Sequence, residues 1–347
     1  MFKKKQRTAT VVGLDLDPSH IAAAEVHVNG SVAVTRGAIV PLRPGVLRDG
    51  EASDPSALAA ALKELFDANE LPRRVRLGIA NQRIVVRSLD LPVIEDPKGL
   101  AAAVQQSAPD HIPMPMDEAV VDFQSLGVVD TPQGLRSRVV IVAVRREMID
   151  RLVSATREAG LEVEGIDLAA FGMVRALAPA ATDQAVLYIN VAGLTNVAVA
   201  NASGCLFTRA AAGGLDAAVL TLAERRGLTT EHARQWMQHV GLLTPLEDVD
   251  GDADLVAATR TALEEGVHQL ADTVRNSLNF YRTQDGAEQV ERALITGPAI
   301  AIPGFVEKLA EQLKLPVEPA FVMVDGQDDL DPSRLAVAAG LAIEDRA

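Results

Sequence analysis

Cysteine and positive charge are scarce in this sequence of 347 residues, and aromatic residues make up only 3% of it. With a single cysteine, Cys205, no intramolecular disulfide can form, and its apolar surroundings predict a small buried side chain. No Cys or His pair has the spacing of metal ligands, and the six His do not cluster. The 47 Asp and Glu outnumber the 33 Lys and Arg, and the net charge of −14 argues against nucleic acid as a partner.

Long apolar runs are also absent. No stretch of about 18 apolar residues occurs, and no apolar segment follows the N-terminal lysines, so we expect neither a membrane span nor a signal peptide. The one basic cluster, at residues 3–7, is interpreted as a solvated start of the chain, with contact to an anionic membrane surface as the alternative. We therefore expect a cytoplasmic protein that meets a membrane only through a partner.

Apolar material is plentiful, at 48% of the residues, and the length is typical of two domains. Residues 11–42 read as three strands joined by turns, and the pair Asn29-Gly30 predicts a type I′ hairpin turn. Residues 185–209 repeat this pattern, so that "VTR" at 34–36 has its counterpart in "FTR" at 207–209. We interpret the repeat as an internal duplication of an α/β subdomain.

Helical patterns follow each set of strands. Asp54 and Pro55 mark the start of a helix, and residues 88–165 read as a strand-helix-strand-strand-helix-strand insertion in the first half. In the second half, a long helix at about 253–283 and two shorter ones before it predict a helical subdomain at about 215–288. The predicted lobes are 1–184 and 185–347. The predicted apolar faces are Leu58, Leu62, Leu65 and Phe66 for the first helix, and Leu255, Thr259, Leu263, Val267, Leu270, Val274, Leu278 and Tyr281 for the long one.

Several segments together resemble one known family. They are "VVGLDLDPSHIAAAEV" at 11–26, "HIPMPMDEAVVDFQSLG" at 111–127, "LFTRAAAGG" at 206–214 and "ITGPAIAIPGFVEKL" at 295–309. Over residues 2–343 the sequence resembles the type IV pilus assembly protein PilM family, which is related to the cell-division protein FtsA. The resemblance implies an α/β, actin-like (ribonuclease H-like) duplicated fold with two lobes and subdomains 1A, 1C, 2A and 2B, where 1C is the insertion and 2B the helical subdomain.

The resemblance further implies a cytoplasmic scaffold that is peripheral to the inner membrane. In the family, the N-terminal cytoplasmic tail of PilN lies in a groove between 1A and 1C, and PilN and PilO are connected to the motor platform of a type IV pilus or a related secretion machine. For this chain, candidate contacts to an extended peptide are Arg83, Val85, Arg87 and Leu89. Ordinary core packing of the two apolar side chains, with solvated arginines, is the alternative.

An FtsA-like filament-forming scaffold is a further alternative. It is disfavoured because the sequence shows no amphipathic membrane helix at its C-terminal end, "LAIEDRA". The sequence leaves open whether the chain forms dimers or filaments.

The resemblance also implies ATP with Mg²⁺ as the cofactor, held by three loops. In the first loop Asp15 would hold Mg²⁺ through water, and Ser19 would offer a hydroxyl to phosphate. His20 would meet phosphate as a cation, although a His beside a proline turn is more often a surface residue. The implied nucleotide-binding residues are Asp15, Asp17, Ser19 and His20 in the first loop, Gly193, Leu194, Thr195, Asn196, Gly213 and Gly214 in the second, and Gly297, Pro298, Ala299 and Ile300 on the adenosine side.

Each loop departs from what a nucleotide needs. Asp17 adds a negative charge that faces the polyanion, and Pro18 has no N–H to donate. In the second loop, Ile189 or Asn190 stands where the family has an acid. In the helical subdomain, Arg234 and Met237 stand where the family has glutamate and lysine. No nucleophile candidate is evident. The residues therefore favour a degenerate nucleotide site and no enzyme activity, and an actin-like ATPase that binds or weakly hydrolyses ATP is the alternative.

Overall fold

The computed structural model describes residues 10–178 and 184–343. These residues form two compact units, each assembled from separate stretches of chain. The first unit takes in the described residues of Met1–Ala80, Arg151–Ala178 and Ala320–Ala347. The second takes in those of Asn81–Asp150 and Pro179–Pro319.

The regular elements are numbered in chain order. The strands are β1 (Val12–Asp17), β2 (His20–Asn29), β3 (Ser31–Pro41), β4 (Leu47–Arg48), β5 (Glu51–Ala52), β6 (Arg74–Ile79), β7 (Val85–Pro92), β8 (Ala119–Thr131), β9 (Gly134–Arg145), β10 (Glu162–Leu168), β11 (Val186–Val191), β12 (Leu194–Asn201), β13 (Gly204–Ala212), β14 (Ala293–Thr296), β15 (Val317–Pro319) and β16 (Met323–Val324). The helices are α1 (Pro55–Ala68), α2 (Pro97–His111), α3 (Arg146–Glu158), α4 (Ala169–Leu177), α5 (Leu215–Arg226), α6 (Thr230–Val240), α7 (Ala253–Arg282), α8 (Phe305–Leu313) and α9 (Ala336–Ala342).

The two main sheets share one plan. In the first unit the strand order is β10-β6-β1-β2-β3-β16, with an antiparallel meander β1–β2–β3 beside the parallel strands β6 and β10. In the second unit the order is β13-β12-β11-β14-β15, again with an antiparallel meander beside two parallel strands. The predicted duplication is therefore confirmed for the meander and the two parallel strands of each sheet, while β16 has no counterpart among the described strands of the second. Cys205 is buried in β13, as predicted.

Two predicted helices have the expected ends and faces. In α1, the Asp54 carboxylate accepts the N–H of Ala57 at 3.0 Å, Pro55 takes the first turn, and the predicted apolar face is buried. In α7, Asp252 caps the first turn, and every predicted stripe residue except Leu255 is buried. These elements formed as predicted because their caps and apolar periodicity are local signals.

Helix α9 closes the first unit by approaching its neighbours backbone to backbone. A Cβ placed on Gly340 of α9 would lie 1.7 Å from the carbonyl oxygen of Gly172 in α4. A Cβ on Gly13 of β1 would lie 1.9 Å from the carbonyl oxygen of Ala338. No side chain fits at either position, so these glycines permit the packing of α9 against both α4 and β1.

Two arginines complete the end of α9. Arg76 of β6 donates to the carbonyl oxygens of Leu341 and Ile343 at 3.0 and 2.6 Å, and Arg175 of α4 donates to that of Gly340 at 3.0 Å. Carbonyl groups in the last turn of a helix lack partners within the helix. The first unit therefore supplies these partners from the two elements that flank α9.

The insertion forms a small sheet of its own in the second unit. Its strand order is β7-β9-β8, and the apolar face of α2 packs on it. A two-point ion pair links the edge strand to the central strand, because Arg138 of β9 donates to both carboxylate oxygens of Asp90 at 2.7 and 2.8 Å. A Cβ on Gly286 would lie 2.5 Å from the Arg138 guanidinium, so the loop after α7 packs directly on this ion pair.

We expect Arg138→Ala to lower the free energy of unfolding by about 1 to 2 kcal/mol at pH 7, because charge-assisted hydrogen bonds are lost from a partly buried pair. The hydrogen bonds from Arg138 hold the pKa of Asp90 below its ordinary value of 3.8. Their contribution to the free energy of unfolding is therefore fully present above pH 3.8 and is lost as the pH falls through the lowered pKa. Urea unfolding at pH 7 and at pH 3.5 measures the difference. Arg225→Ala, on the exposed surface of α5, is the matched control, and an equal effect of both substitutions at pH 7 would contradict the assignment.

The hairpin at Asn29-Gly30 forms, but its predicted type I′ geometry is wrong. That turn needs positive φ at both central residues, and here Gly30 has a φ of 78° while Asn29 is the last residue of β2 and pairs with Ser31. A bulge between Glu25 and Val26 shifts the pairing upstream. Gly30 is therefore the one residue between the paired ends of β2 and β3, and a two-residue turn does not fit this register.

The compact units differ from lobes that are continuous in sequence. The predicted insertion at 88–165 is divided, because Asn81–Asp150 group with the second unit and Arg151–Ala178 with the first. The described residues of Ala320–Ala347 also group with the first unit. The lobe boundaries at 1–184 and 185–347 stay a prediction. Across the described ranges, no helix is both long and apolar enough to span a membrane.

Candidate functional site

The first candidate loop is the hairpin between β1 and β2. Asp17 and His20 are paired across it, and Asp15 lies two residues back on the same face of β1. Both strands are buried at this end, and Asp15, Asp17 and His20 are at most 6% exposed. His20 therefore does not lie at the surface, which corrects the expectation drawn from its position beside a proline turn. The sequence could not reveal this, because burial here depends on what packs over the turn.

Donors of the turn converge on the carboxylate of Asp17. Its Oδ1 accepts the backbone N–H of Ser19 at 2.9 Å and the hydroxyl of Ser19 at 2.5 Å. Nδ1 of His20 lies 2.9 Å from the same hydroxyl oxygen and 3.5 Å from Asp17 Oδ1. Because the hydroxyl proton points to Asp17, Ser19 is not poised as a nucleophile. These groups surround the negative charge of the Asp17 carboxylate.

The three ionisable groups shift one another's pKa values. Burial raises the pKa of Asp15 to about 7, against a smaller opposing effect of the charge on His20. Burial also opposes the charged forms of Asp17 and His20, but their mutual hydrogen bond and charges outweigh it, so the pKa of Asp17 is lowered and that of His20 is raised. The second ring nitrogen of His20, Nε2, is buried and has no hydrogen-bond partner within residues 10–178 and 184–343.

These residues do not fit a Mg²⁺-nucleotide as they stand. A carboxyl group with a pKa of about 7 is partly protonated near neutral pH, which weakens it as a ligand for Mg²⁺. The donors that would meet phosphate are bound to Asp17, and Pro18 adds none. In the described part of the chain, no group of three or more His, Cys, Asp or Glu is arranged to hold a metal ion.

The second candidate loop joins β11 and β12. Asn190 pairs with Asn196 on one side and with Thr296 of β14 on the other, and all three side chains are buried. Ile189 belongs to the apolar core instead. Of the two residues that the sequence offered in place of the family's acid, Asn190 is therefore the one on the polar face.

Glycines beside this loop serve backbone packing. A Cβ on Gly214 would lie 2.4 Å from the carbonyl oxygen of Ala192, and one on Gly297 would lie 2.5 Å from that of Val191. Gly297 also has a φ of 98°, which favours glycine. Thr195 is buried as well. Gly213, Gly193 and Leu194 complete the turn and the approach to α5. The close approach of the loop to its neighbours explains Gly214 and Gly297 without a ligand.

Residues on the adenosine side have structural partners. Pro298, Ala299 and Ile300 form a short 3₁₀ turn, and Ala299 and Ile300 pack in or against the apolar core. Arg234 forms a 2.9 Å ion pair with Asp216, and Met237 is fully buried. Of the two positions that differ from the family's polar residues, Arg234 is thus held in an ion pair and Met237 is part of the apolar core.

The candidate partner residues do not form one surface. Val85 and Leu89 of β7 lie in the core between β9 and α2, while Arg83 and Arg87 are exposed. Within its sheet, and among the described residues, β7 is an edge strand that pairs with β9 alone. It also lies near β13. The backbone of β7 and the head of Arg87 are therefore the parts that this strand offers to a ligand, and contact with a partner stays a prediction.

Sequence reasoning missed a second turn of the same kind. At Asp331-Pro332-Ser333 the carboxylate again accepts the N–H and hydroxyl of the serine, at 3.0 and 2.6 Å, and Arg334 follows. The charge of Arg334 acts on His20, so this turn belongs to the surroundings of the first hairpin. The signal was present in the sequence, because "DPS" occurs at 17–19, 54–56 and 331–333.

Comparison with known proteins finds similarity to one family over nearly the whole chain. A family model described as "Type IV pilus assembly protein PilM" matches residues 13–345. The chain is also similar to one in a structure titled "PilM-PilN type IV pilus biogenesis complex", with 25% identity, a TM-score of 0.77, and coverage of 96% of this chain and 97% of that one.

More distant structures share the fold alone. The ethanolamine utilization protein EutJ from Carboxydothermus hydrogenoformans is 15% identical, with a TM-score of 0.55 and coverage of 98% and 91%. MreB5 of Spiroplasma citri, bound to ADP, is 13% identical, with a TM-score of 0.54 and coverage of 96% and 95%. The predicted actin-like, two-lobed α/β fold is thereby confirmed. Since the family model spans nearly the whole sequence, the chain belongs to the family of the type IV pilus assembly protein PilM.

Proposed function

We propose that this protein is a scaffold that binds the N-terminal cytoplasmic tail of a PilN-type membrane protein. The observation that carries the proposal is the similarity, over nearly the full length of both chains, to a chain of the PilM-PilN complex. The scaffold would lie in the cytoplasm, at the inner membrane through this partner. It would connect PilN and PilO to the motor platform of a type IV pilus or a related secretion machine.

The edge strand β7 supports this function. An extended peptide gains main-chain hydrogen bonds when it adds to a free strand edge, and β7 occupies the edge of the insertion sheet. Arg87 is exposed on this strand, and its guanidinium group donates a hydrogen bond to the neighbouring carbonyl of Val86 at 2.9 Å. Its guanidinium group can exchange that bond for a carbonyl or carboxylate of the peptide. Val85 and Leu89 then hold the strand in place from the core side.

We expect a synthetic peptide of the PilN tail to bind the purified chain at micromolar concentrations, and Arg87→Glu to weaken it about tenfold. Charge reversal removes a charge-assisted hydrogen bond to the peptide, and a loss of about 1.5 kcal/mol, the lower end of the usual range, corresponds to roughly tenfold. Isothermal titration calorimetry measures both affinities. Arg225→Glu, an exposed arginine on α5, is the control and is expected to bind as the parent does.

Two results would contradict the scaffold proposal or its site. If the peptide gives no heat and no change of melting temperature well above micromolar concentration, the function fails. If the peptide binds equally to the parent chain and the Arg87→Glu variant, the partner lies elsewhere on the protein and only the site fails.

A degenerate nucleotide site also belongs to this proposal. It is supported by the donors taken up by Asp17, by Asn190 in place of an acid, and by the packing roles of Gly214 and Gly297. Turnover of Mg-ATP that Asp15→Ala abolishes would favour the ATPase alternative, and concentration-dependent polymers would favour the FtsA-like one.

A further inference from the structure

The β1–β2 turn has the composition of an anion site. A backbone N–H and a hydroxyl meet at one point, and the Nδ1 atom of His20 lies 2.9 Å from the hydroxyl oxygen and 3.5 Å from that point. Such sets of groups bind small oxyanions in proteins. In this chain that point is occupied by a carboxylate oxygen of Asp17, at 2.9 Å from the Ser19 nitrogen and 2.5 Å from its hydroxyl. The anion in this site is therefore the side chain of Asp17 and not a separate ligand.

Burial distinguishes this turn from its relative at residues 331–333. There a backbone N–H and a serine hydroxyl also meet the carboxylate of Asp331, and Ser333 is buried, but the Asp331 side chain is 39% exposed, so water competes for the carboxylate. The Asp17 side chain is 5% exposed and that of His20 is 2% exposed. Burying the Asp17 carboxylate costs free energy unless it is paired and hydrogen-bonded, and the buried donors likewise cost free energy unless they have an acceptor.

His20 gives the second indication. Its Nε2 is buried and has no hydrogen-bond partner among the described residues, which is rare for a polar atom in a folded protein. The charged groups that act on it are Asp15 and Asp17 on β1 and Arg334 in the turn before α9.

We propose that Asp17 is a tethered anion that fills an oxyanion site formed by Ser19 and His20, and that this site takes phosphate only when Asp17 is removed. The hairpin is then complete without a ligand. The first unit has no need of a bound nucleotide to satisfy this turn. This inference concerns Asp17 alone and stands whether or not the PilN-type tail binds.

The test is titration of the parent chain and an Asp17→Gly variant with inorganic phosphate, against chloride at equal ionic strength, by calorimetry. We expect no binding to the parent at millimolar phosphate and at least tenfold tighter binding to Asp17→Gly. Two controls separate the causes. Asp15→Asn removes a charge but leaves the donors bound to Asp17, and Asp331→Gly frees the same kinds of donors in a more exposed turn. Neither is expected to bind phosphate.

Several outcomes would overturn the proposal. They are phosphate binding by the parent, no binding by a folded Asp17→Gly variant, or equal binding by either control. If Asp17→Gly does not fold, Asp17→Ala, which keeps a Cβ in the strand, takes its place. An NMR titration of His20 in the parent chain is independent of any variant. The imidazole is expected to stay protonated above the ordinary pKa of about 6.5, and an ordinary titration would contradict the pairing with Asp17.

Discussion

An Asp15→Asn variant is expected to be more stable than the parent chain at pH 8, by roughly 2 to 4 kcal/mol, and the gain shrinks as the pH falls towards 5. Asp15 is buried in β1, and burial raises the pKa of its carboxyl group from 3.8 to about 7. The folded chain therefore binds a proton that the unfolded chain has released between these two pH values. Stability is lost as the pH rises through this window, and an amide that carries no charge avoids the loss.

The size of the effect follows from the two pKa values. At about 1.4 kcal/mol for each pKa unit, the gap between them sets an upper limit of roughly 4 kcal/mol above pH 7. Part of the gain is offset, because the charge of Asp15 also supports the protonated form of His20. Urea unfolding curves at pH 5, 6.5 and 8 measure the difference in free energy directly.

Asp328→Asn is the matched control for this experiment. Asp328 lies in the same compact unit and is exposed, so its substitution is expected to change stability little at any of the three pH values. The prediction fails if Asp15→Asn destabilises the chain at pH 8, because that would mean the carboxylate is held there by a favourable partner.

The second large effect is expected at Gly340. We expect Gly340→Ala to destabilise the first unit by about 3 kcal/mol or more, beyond the usual cost of overpacking, since the new methyl group would meet a backbone carbonyl and no movable side chain. The distance from its Cβ to the oxygen of Gly172 would be 1.7 Å, so α9 or α4 must move away. Total stabilities of about 5 to 15 kcal/mol make this a large fraction. Thermal unfolding followed by circular dichroism measures it.

Gly160→Ala separates this clash from the ordinary cost of replacing a glycine. Gly160 has a φ of 78°, and a Cβ there would have no other atom within 4 Å. Its substitution is expected to cost only the backbone strain of about 1 to 2 kcal/mol. If the two variants lose the same stability, the close crossing of α9 and α4 is not the cause.

What the sequence predicted well are features with local signals. The caps and periodic faces of α1 and α7 are visible within one or two turns of chain, and the duplicated meanders share a pattern of alternation and turns. The small edge strand β16 was not predicted, because two residues carry no periodicity and its partner β3 lies in the opposite half of the sequence. Helix α4 was not predicted either.

The first hairpin shows what the sequence could not supply. Its turn residues and its departure from a phosphate loop were evident from Asp17 and Pro18. The burial of His20 was not evident, because it depends on segments that are distant in sequence. One of them carries Arg334, whose charge acts on His20. Likewise, the glycines at 214 and 297 were open to two interpretations until the carbonyl groups beside them were known.

The placement of α9 delays the completion of the first unit during synthesis, because β1 packs against a helix near the other end of the sequence. The slot at Gly13 is made early, yet the helix that fills it comes more than three hundred residues later. At about 5 to 20 residues per second, the wait is roughly 15 to 65 seconds. Every stretch of the second unit leaves the ribosome before α9 does. Strand β1 is therefore synthesised before the whole second unit, and its contact with α9 forms only after that unit has been made.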